Sequence, residues 1–588
     1  MGKGKRMAGW SLVLLLVFSL ALPGVSVAEG TMPPSGDKQV DVGRNGMVVT
    51  ATEEASRVGA HVLRKGGNAV DAAVAIQFAL QVSEPMMSGI GGGGFMMVYE
   101  KRRDRVTIID SRERAPAGAT PDMFLDENGR IIPFAVRSTH GNAVGVPGTL
   151  MGLDTALKRW GTRPMAELIQ PSIRMADRGV RVNRVLAQAI QDHQEKLSRT
   201  PAKDVFLPDG EPLQEGDRLV QKDLAKTFRT IQWYGPSVFY RGKIGAKIAD
   251  TVQEYGGTMT RADLARYRLT IDEPVRGSFQ GYEIVTMPPP SSGGITALQI
   301  LTMLEDQHIG QYDVRSPEKY HLFAEASRLA YADRGTYIGD PAFVTVPQRG
   351  MLHPDYLRER SALIDREQAN PHVEPGDPWA YQGGSATGEA TRQEDDRPGG
   401  ETTHFTVADR WGNLVSYTTT IEQLFGTGIM VPGTGILLNN ELTDFDARPG
   451  GPNEVQPGKR PMSSMTPTIV FQGGNPVMTV GSPGGPTIIA SVAQTILNVL
   501  EYDMALKDAI EEPRIYTNAY PNIRWEPGIP DDVRADLEAR GHRFEAAPRD
   551  IGNVNAIWID PATGLYHGAA DSTREGVAIG IGGKRPRR

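Results

Sequence analysis

Residues 401–422, with the sequence ETTHFTVADRWGNLVSYTTTIE, constrain the fold of this chain more than any other stretch. Two runs of alternating apolar and polar residues lie on either side of Gly412 and Asn413. Alternation of this kind, interrupted by Gly and Asn, predicts a β-hairpin. A segment rich in Pro, Gly and charged residues comes immediately before it. The sequence therefore places Thr402 and Thr403 where a loop enters a sheet.

The position of Thr402 at this junction gives its hydroxyl a chemical use. A threonine hydroxyl is a poor nucleophile unless a base lies beside it, and the α-amine of an N-terminal threonine is such a base. A cut between Glu401 and Thr402 would create an α-amine with a pKa of about 7.7–8.0, which accepts a proton near neutral pH. A Thr-Thr pair at the start of a strand also suits a purely structural role, and the pair alone leaves both interpretations open.

Further motifs accompany the hairpin in a fixed order. They are T-T-H-F-T-V-A-D (402–409), F-G-T-G (425–428), G-I-L-L-N-N (435–440), D-F (444–445), K-R-P-M-S-S-M-T-P (459–467) and G-S-P-G-G (481–485). Together they closely resemble the γ-glutamyltransferases, also called glutathione hydrolases, and the resemblance covers most of residues 45–580. It implies an α+β fold, the four-layer α-β-β-α sandwich of the N-terminal-nucleophile hydrolases, made from one self-cleaved precursor.

The resemblance implies self-cleavage between Glu401 and Thr402. A large subunit, residues 29–401 with a flexible linker at 371–400, would pair with a small catalytic subunit, residues 402–588, as a heterodimer. Thr402 would attack γ-glutamyl amides such as glutathione and form a glutamyl-enzyme, which is released to water or to an amino acid or peptide acceptor. This chemistry needs no cofactor and no metal, and the ten histidines show no H-E-x-x-H spacing.

Three further residues match catalytic positions of the family. Thr420, on the second strand of the hairpin, would hydrogen-bond the hydroxyl or the amine of Thr402. Gly484 and Gly485 would present backbone N–H groups to the negative charge that develops on the substrate oxygen. For this pair a plain glycine turn is the alternative interpretation.

Donor recognition needs groups of both charges, because a γ-glutamyl donor carries an ammonium and a carboxylate on its α-carbon. In D-S-R-E-R-A-P (110–116) the first arginine matches the family and Arg114 does not. A guanidinium suits a carboxylate because it binds it through two parallel hydrogen bonds. The resemblance implies two sets of donor ligands: Arg112, Ser463 and Ser464 for the carboxylate, and Glu441 and Asp444 for the ammonium.

The chain departs from the best-known family pattern in two places. Glu422 stands where many members have an asparagine, so it joins Glu441 and Asp444 in a more negative pocket. Residues 449–458 form a shorter stretch than in members that carry a lid over the pocket. We therefore expect an open cleft that admits larger donors or acceptors.

Residues 88–94, S-G-I-G-G-G-G, formally match the G-x-G-x-x-G of dinucleotide-binding proteins. That fingerprint needs a strand before it and a helix after it. Here a helical pattern, residues 69–82 capped by Asn68, comes first and a strand-like run follows, so the glycines predict close backbone packing beneath a site and no nucleotide. Residues 51–65 and 321–334 also have helical spacing, and the second of these predicts a helix stacked under the sheet.

The first 28 residues have the composition of a signal peptide. Three cations precede the apolar run 10–22, and small residues at 26–28 suit cleavage after Ala28. An uncleaved anchor is the alternative, but the run is short for a membrane span. The sequence therefore predicts a periplasmic or secreted protein with no stable membrane anchor.

Composition excludes several classes of function. The chain has no cysteine, which removes disulfides and thiol catalysis. A formal net charge of −7 argues against a nucleic-acid surface, and the basic residues 584–588 are expected to form a solvated tail.

Other functions remain compatible with these motifs. A cephalosporin or glutaryl acylase of the same architecture would spare the acids that bind an ammonium, which this chain has. A poly-γ-glutamate hydrolase would suit an open cleft. A non-enzymatic periplasmic binding protein on the same scaffold would stay one chain, and the intact set of Thr402, Thr420, Gly484 and Gly485 argues against it.

Overall fold

The computed structural model describes residues 1–2, 38–383 and 400–582. Most of the predicted signal peptide, residues 384–399 of the predicted linker and the basic residues 584–588 lie outside the described residues. The described residues from 38 onward belong to one compact unit. Among the described helices, none has the length and apolar character needed to span a membrane.

The described chain forms twenty-one strands. In order they are β1 (Val40–Gly43), β2 (Gly46–Thr50), β3 (Gly93–Glu100), β4 (Arg105–Asp110), β5 (Val180–Arg181), β6 (Arg218–Leu219), β7 (Thr270–Asp272), β8 (Val275–Phe279), β9 (Tyr282–Thr286), β10 (Thr403–Asp409), β11 (Leu414–Thr420), β12 (Met430–Val431), β13 (Ile436–Leu437), β14 (Thr468–Gln472), β15 (Asn475–Gly481), β16 (Ile515–Tyr516), β17 (Asn522–Trp525), β18 (Arg543–Phe544), β19 (Asn555–Ile559), β20 (Tyr566–Ala570) and β21 (Val577–Gly580).

The same residues form twenty α-helices. They are α1 (Glu53–Arg64), α2 (Ala69–Ser83), α3 (Phe134–Arg137), α4 (Thr149–Trp160), α5 (Met165–Leu168), α6 (Gln170–Arg178), α7 (Arg184–Asp192), α8 (Gln194–Ser198), α9 (Lys203–Phe206), α10 (Lys222–Tyr234), α11 (Ser237–Tyr240), α12 (Lys243–Glu254), α13 (Arg261–Arg266), α14 (Gly293–Asp306), α15 (Pro317–Tyr337), α16 (Gln348–Met351), α17 (Pro354–Ser361), α18 (Ile488–Leu500), α19 (Leu506–Glu511) and α20 (Asp531–Ala539).

Two seven-stranded sheets form the centre of the fold. The first has the strand order β21-β2-β10-β11-β3-β4-β7 and the second β1-β20-β19-β15-β14-β9-β8. Neighbouring strands of the first sheet are antiparallel, and β10 and β11 form the predicted hairpin, with Thr403 opposite Thr419. The prediction of a hairpin in residues 401–422 is therefore confirmed.

The two faces of the first sheet belong to two different cores. In β2, Val48 packs in one core with α2 and α4, whereas Met47 and Val49 pack in the other with the second sheet and with α14, α15 and α18. Successive residues of a strand point to opposite faces, which accounts for this division. The layers are thus helices, sheet, sheet and helices, and the predicted α-β-β-α sandwich is confirmed.

The helices predicted near the glycine-rich run are also confirmed. Asn68 accepts a hydrogen bond from the N–H of Asp71 at 2.9 Å, and the Asp71 carboxylate accepts one from the N–H of Asn68 at 2.9 Å, so both caps of a capping box are made. The helix α2 that follows is buried along its whole length. Residues 321–334 lie within α15, which packs in the core of the second sheet.

Close packing explains the glycines at 91 and 92. A Cβ on Gly91 would overlap the carbonyl oxygen of Leu437, and a Cβ on Gly92 would overlap that of Thr420. Both neighbours are backbone atoms, which cannot move aside as a flexible side chain can. The backbone of the glycine run therefore packs closely against Leu437 and against Thr420 at the end of β11, as the sequence predicts.

We expect Gly91→Ala to destabilise the protein, because its methyl group has no space against the Leu437 backbone. Overpacking of this kind costs about 1–3 kcal/mol. Gly335→Ala is the matched control, since Gly335 lies in α15 with no atom near its Cβ position; alanine is favoured over glycine there by about 0.5–1 kcal/mol. Thermal unfolding of both variants measures the effect, and equal melting temperatures would contradict the proposed packing.

Candidate active site

The register of the hairpin brings two threonine hydroxyls together. Thr402 directly precedes β10 and is 4% exposed, while Thr420 ends β11 on the neighbouring strand. The hydroxyl of Thr402 donates to that of Thr420 at 3.3 Å. The Thr420 hydroxyl in turn donates to the carbonyl oxygen of Glu401 at 2.8 Å. One hydroxyl therefore links the Thr402 side chain to the carbonyl of the peptide bond that precedes it.

Glu422 holds both Thr420 and Glu401 in place through hydrogen bonds of its backbone. Its N–H donates to the Thr420 hydroxyl at 2.8 Å, and its carbonyl accepts from the N–H of Glu401 at 2.7 Å. Glu422 has a φ of +78°, which is uncommon for a residue with a side chain. Such backbone strain clusters at functional sites, where the surrounding structure enforces it.

A cleft with an empty volume of about 480 Å³ opens beside these hydroxyls. Nine of the ten residues predicted to act in catalysis or donor binding line it, namely Thr402, Thr420, Gly485, Arg112, Glu422, Glu441, Asp444, Ser463 and Ser464. The tenth, Gly484, precedes Gly485 and is not part of the lining. Gly400 lies against Gly485, so the residues before Thr402 cover this glycine in the uncut chain.

The charged groups predicted to bind opposite ends of a donor are paired with each other. The buried Arg112 guanidinium forms ion pairs with Glu441 and, at 2.6 Å, with Asp444. It also donates to the carbonyl oxygens of Pro461 and Met462. The Asp444 side chain is 22% exposed, so its pair with Arg112 faces the cleft while the pair with Glu441 lies beneath it. Burial raises the pKa of Glu441 to about 7, against the lowering effect of Arg112.

Arg574 is a residue of the site that the sequence did not indicate. Its guanidinium donates to the carbonyl of Thr402 at 3.0 Å and to the carboxylate of Glu401 at 2.6 Å, and lies 3.5 Å from Glu84. It therefore holds both residues of the predicted cleavage pair. Burial raises the pKa of Glu84 to about 7, and Arg574 opposes this shift. Arg574 lies between β20 and β21. Because β21 pairs with β2 and β2 with β10, this segment lies close to Thr402 at the start of β10.

Arg334, at the C-terminal end of α15, is a second unpredicted residue in the lining. It donates to the hydroxyl of Ser292 at 2.8 Å and to that of Ser464 at 3.0 Å. The Ser464 oxygen accepts this bond, and a hydroxyl that accepts can also donate its own proton. The helical spacing of residues 321–334 indicated burial under the sheet and carried no signal for this contact.

The described ranges contain no group of three or more His, Cys, Asp or Glu side chains with the arrangement of a metal site. The acids of the cleft are instead oriented by arginines. Arg112 engages Glu441 and Asp444, and Arg574 engages Glu401. The cleft therefore contains a pair of hydrogen-bonded threonine hydroxyls beside a buried arginine with two carboxylates.

Comparison with known proteins agrees with this geometry. Residues 55–581 match the model of the family described as Gamma-glutamyltranspeptidase. The chain is 62% identical to the glutathione hydrolase proenzyme of Bacillus subtilis strain 168 over 582 residues, which is 98% of this chain and 99% of that protein. It is 41% identical to the acylase ACY 1 proenzyme of Pseudomonas sp. strain SE83, covering 93% of this chain and 95% of that one.

Among solved structures, the chain is similar to the cephalosporin acylase from Bacillus halodurans. The TM-score is 0.81 at 27% identity, and the match covers 95% of this chain and 100% of that one. The family match spans nearly the whole of the described fold, including every residue of the cleft. The chain therefore belongs to the gamma-glutamyltranspeptidase family.

Proposed function

We propose that this chain is the precursor of an enzyme that hydrolyses glutathione and other γ-glutamyl amides, or transfers their γ-glutamyl group to amino acids or peptides. The observation that carries the proposal is the hydrogen-bond chain from Thr402 through Thr420 to the Glu401 carbonyl, at the edge of a cleft that contains Arg112. The relative from Bacillus subtilis is a glutathione hydrolase proenzyme, which agrees with maturation by cleavage.

Maturation begins with attack of the Thr402 hydroxyl on the carbonyl carbon of Glu401. The Thr420 hydroxyl receives the proton of Thr402 and donates to the carbonyl oxygen, where negative charge develops. The C–N bond then breaks, the proton passes to the released amine, and an ester joins Glu401 to the Thr402 oxygen. Hydrolysis of that ester gives the Glu401 carboxylate and the free Thr402 hydroxyl, beside the α-amine already released, and the two resulting chains remain together as a heterodimer.

Turnover uses the new amine as the general base. With a pKa of about 7.7–8.0 it is partly unprotonated at neutral pH and accepts the hydroxyl proton of Thr402 as the oxygen attacks a γ-glutamyl amide. Gly484 and Gly485 supply N–H groups for the oxyanion once the residues before Thr402 have left. The leaving amine takes the proton, and the glutamyl ester is then transferred to water or to an acceptor amine.

Donor binding proceeds by exchange of ion pairs. The donor carboxylate takes the place of Asp444 on Arg112, and its ammonium takes the place of Arg112 on Asp444 and Glu441. The donor brings one charge of each sign, so the exchange gives every charge a partner of opposite sign, which limits the desolvation cost of a buried site. Ser463 and Ser464 complete the carboxylate side, and Glu422 adds negative charge on the ammonium side.

An acylase of the same fold is the second candidate, because an acylase proenzyme is 41% identical to this chain. An acyl group such as glutaryl has no α-ammonium, so it would bring no positive charge to Glu441 and Asp444. Their position in the cleft beside Arg112 therefore favours a γ-glutamyl donor. Comparing γ-glutamyl and glutaryl anilides distinguishes the two, since they differ only in the α-amino group.

Cleavage between Glu401 and Thr402 would give two fragments of different size. If mass is proportional to residue number, 63.9 kDa over 588 residues gives about 41 kDa for residues 29–401 and about 20 kDa for residues 402–588. We expect both bands from the wild-type protein on a denaturing gel and one band from Thr402→Ala, because the alanine has no nucleophile. Thr403→Ala is the control and should still be cut, with the new N-terminus at Thr402. One band from all three would favour the non-enzymatic binding protein.

Arg574→Ala should slow self-cleavage, because it frees both the Glu401 carboxylate and the Thr402 carbonyl. Loss of about 1 Å of alignment in a reacting pair costs on the order of 10²-fold in rate. A time course of precursor loss measures the effect. Arg549→Ala is the control, since Arg549 is exposed and its ion pair among the described residues is with Glu545. Cleavage of the Arg574 variant at the wild-type rate would contradict its role.

Arg112→Lys should raise the KM for γ-glutamyl anilides by about tenfold or more, because an ammonium keeps the charge but not the fork that binds a carboxylate bidentately. The matched control is Arg114→Lys. Arg114 donates to the carbonyls of Arg268 and Gly458 outside the cleft, so its KM should stay near that of wild type. Equal KM values for both variants would remove Arg112 from the donor site.

A further inference from the structure

Glu113 is a fully buried acid next to Arg112 in the sequence. Within the part of the chain that the structure describes, neither of its carboxyl oxygens accepts a hydrogen bond, and neither does Oε2 of Glu441. Buried carboxylates are normally paired or hydrogen-bonded, because an unpaired buried charge is very costly. An ionised Glu113 would therefore be among the least favourable groups in the protein.

Glycines form the space that Glu113 occupies. Its carboxyl lies where a Cβ on Gly93 would be, and its own Cβ is 2.7 Å from the Cβ position of Gly145. Gly93 is the last-but-one residue of the glycine-rich run 88–94 and pairs with Thr420 in the sheet. The run therefore admits an acid side chain directly beneath the hydroxyls of the cleft.

The charges around Glu113 do not balance if every acid is ionised. Arg112 is the cation of this group, and it already forms ion pairs with Glu441 and Asp444. The Glu113 carboxyl faces Glu441 within hydrogen-bonding reach, and the phenols of Tyr240, Tyr267 and Tyr417, which are neutral, also lie near it. Two adjacent buried carboxyls cannot both ionise, and they share a proton.

The pKa directions agree with this assignment. Burial, followed by the negative charge of Glu441, raises the pKa of Glu113 well above its usual range. Burial also raises the pKa of Glu441, to about 7, but Arg112 is in direct contact with Glu441 and favours its ionised form. Of the two acids, Glu113 is the one that keeps the proton.

We propose that Glu113 is a neutral carboxylic acid that donates its proton to Oε2 of Glu441, and so holds the Glu441 carboxylate in place for Arg112 and for the ammonium of a bound donor. Glu113 touches neither the donor nor the reacting atoms, so it is a positioning residue. The part of this proposal that concerns the donor rests on the proposed function. The shared proton itself does not.

Substitution distinguishes a proton donor from a carboxylate. Glu113→Gln keeps an N–H that can donate to Glu441, so we expect its KM for a γ-glutamyl anilide to stay within about threefold of wild type. Glu113→Ala leaves Glu441 Oε2 buried without a donor and should raise KM on the order of tenfold. Glu441→Gln should raise KM at least as much. Glu325→Gln, in a buried ion pair with Arg328 outside the cleft, is the control and should leave KM unchanged.

Infrared difference spectroscopy reads the proton directly and does not require maturation. The uncut Thr402→Ala precursor is compared at neutral pH with the same protein carrying Glu113→Gln. We expect the carbonyl stretch of a protonated carboxylic acid in the first and its loss in the second. Absence of that band in the precursor, or a Glu113→Gln enzyme as impaired as Glu441→Gln, would overturn the proposal.

If the proposed function is wrong, the results differ from those expected if only the shared proton is absent. If the band is present but Glu441→Gln leaves KM unchanged, the shared proton stands and the positioning role for a donor is overturned. If the wild-type chain is never cut, the infrared comparison still decides the protonation of Glu113, because it uses the uncut chain.

Discussion

The antiparallel register of β10 and β11 is the constraint on which the site depends. Because Thr403 lies opposite Thr419, the residue before β10 meets the residue that ends β11, and the hydroxyl of Thr420 reaches both the Thr402 side chain and the Glu401 carbonyl. A shift of one residue would turn these side chains to the other face of the sheet. Gly92, packed on the Thr420 carbonyl, and the burial of both strands fix that register.

A second requirement is electrostatic. The protein concentrates acids beneath the cleft, and Arg112 neutralises two of them, Glu441 and Asp444. Such a buried cluster adds little to stability, because desolvation offsets much of the attraction. Its value is specificity: a ligand that brings one positive and one negative group can exchange partners with the cluster, whereas a ligand with a single charge leaves one group unpaired.

Sequence patterns predicted much of this structure because they report local physics. The alternation in residues 401–422, the cap at Asn68 and the glycines at 91 and 92 each predict an arrangement that depends on neighbouring residues, and each is observed. The family resemblance also predicted a common site for ten residues, and nine of them line one cleft. The sequence did not predict the roles of Arg574 and Arg334, because their contacts depend on strand order and helix orientation and not on any local spacing. The proton state of Glu113 is likewise invisible in sequence, since it depends on which acids meet after folding.

Glu422 shows why a residue can be retained in a conformation that does not suit it. Asparagine, the residue of many family members at this position, adopts a positive φ more readily than glutamate does. Glu422 nevertheless has a φ of +78°, with its N–H bonded to Thr420 and its carbonyl bonded to the N–H of Glu401. These backbone bonds are the same for either side chain, so they enforce the conformation and do not select the residue. What the glutamate adds is its carboxylate in the cleft lining, at a conformational cost on the order of 1–3 kcal/mol. The identity of this side chain therefore affects the charge of the pocket, whereas the backbone conformation of the turn does not depend on it.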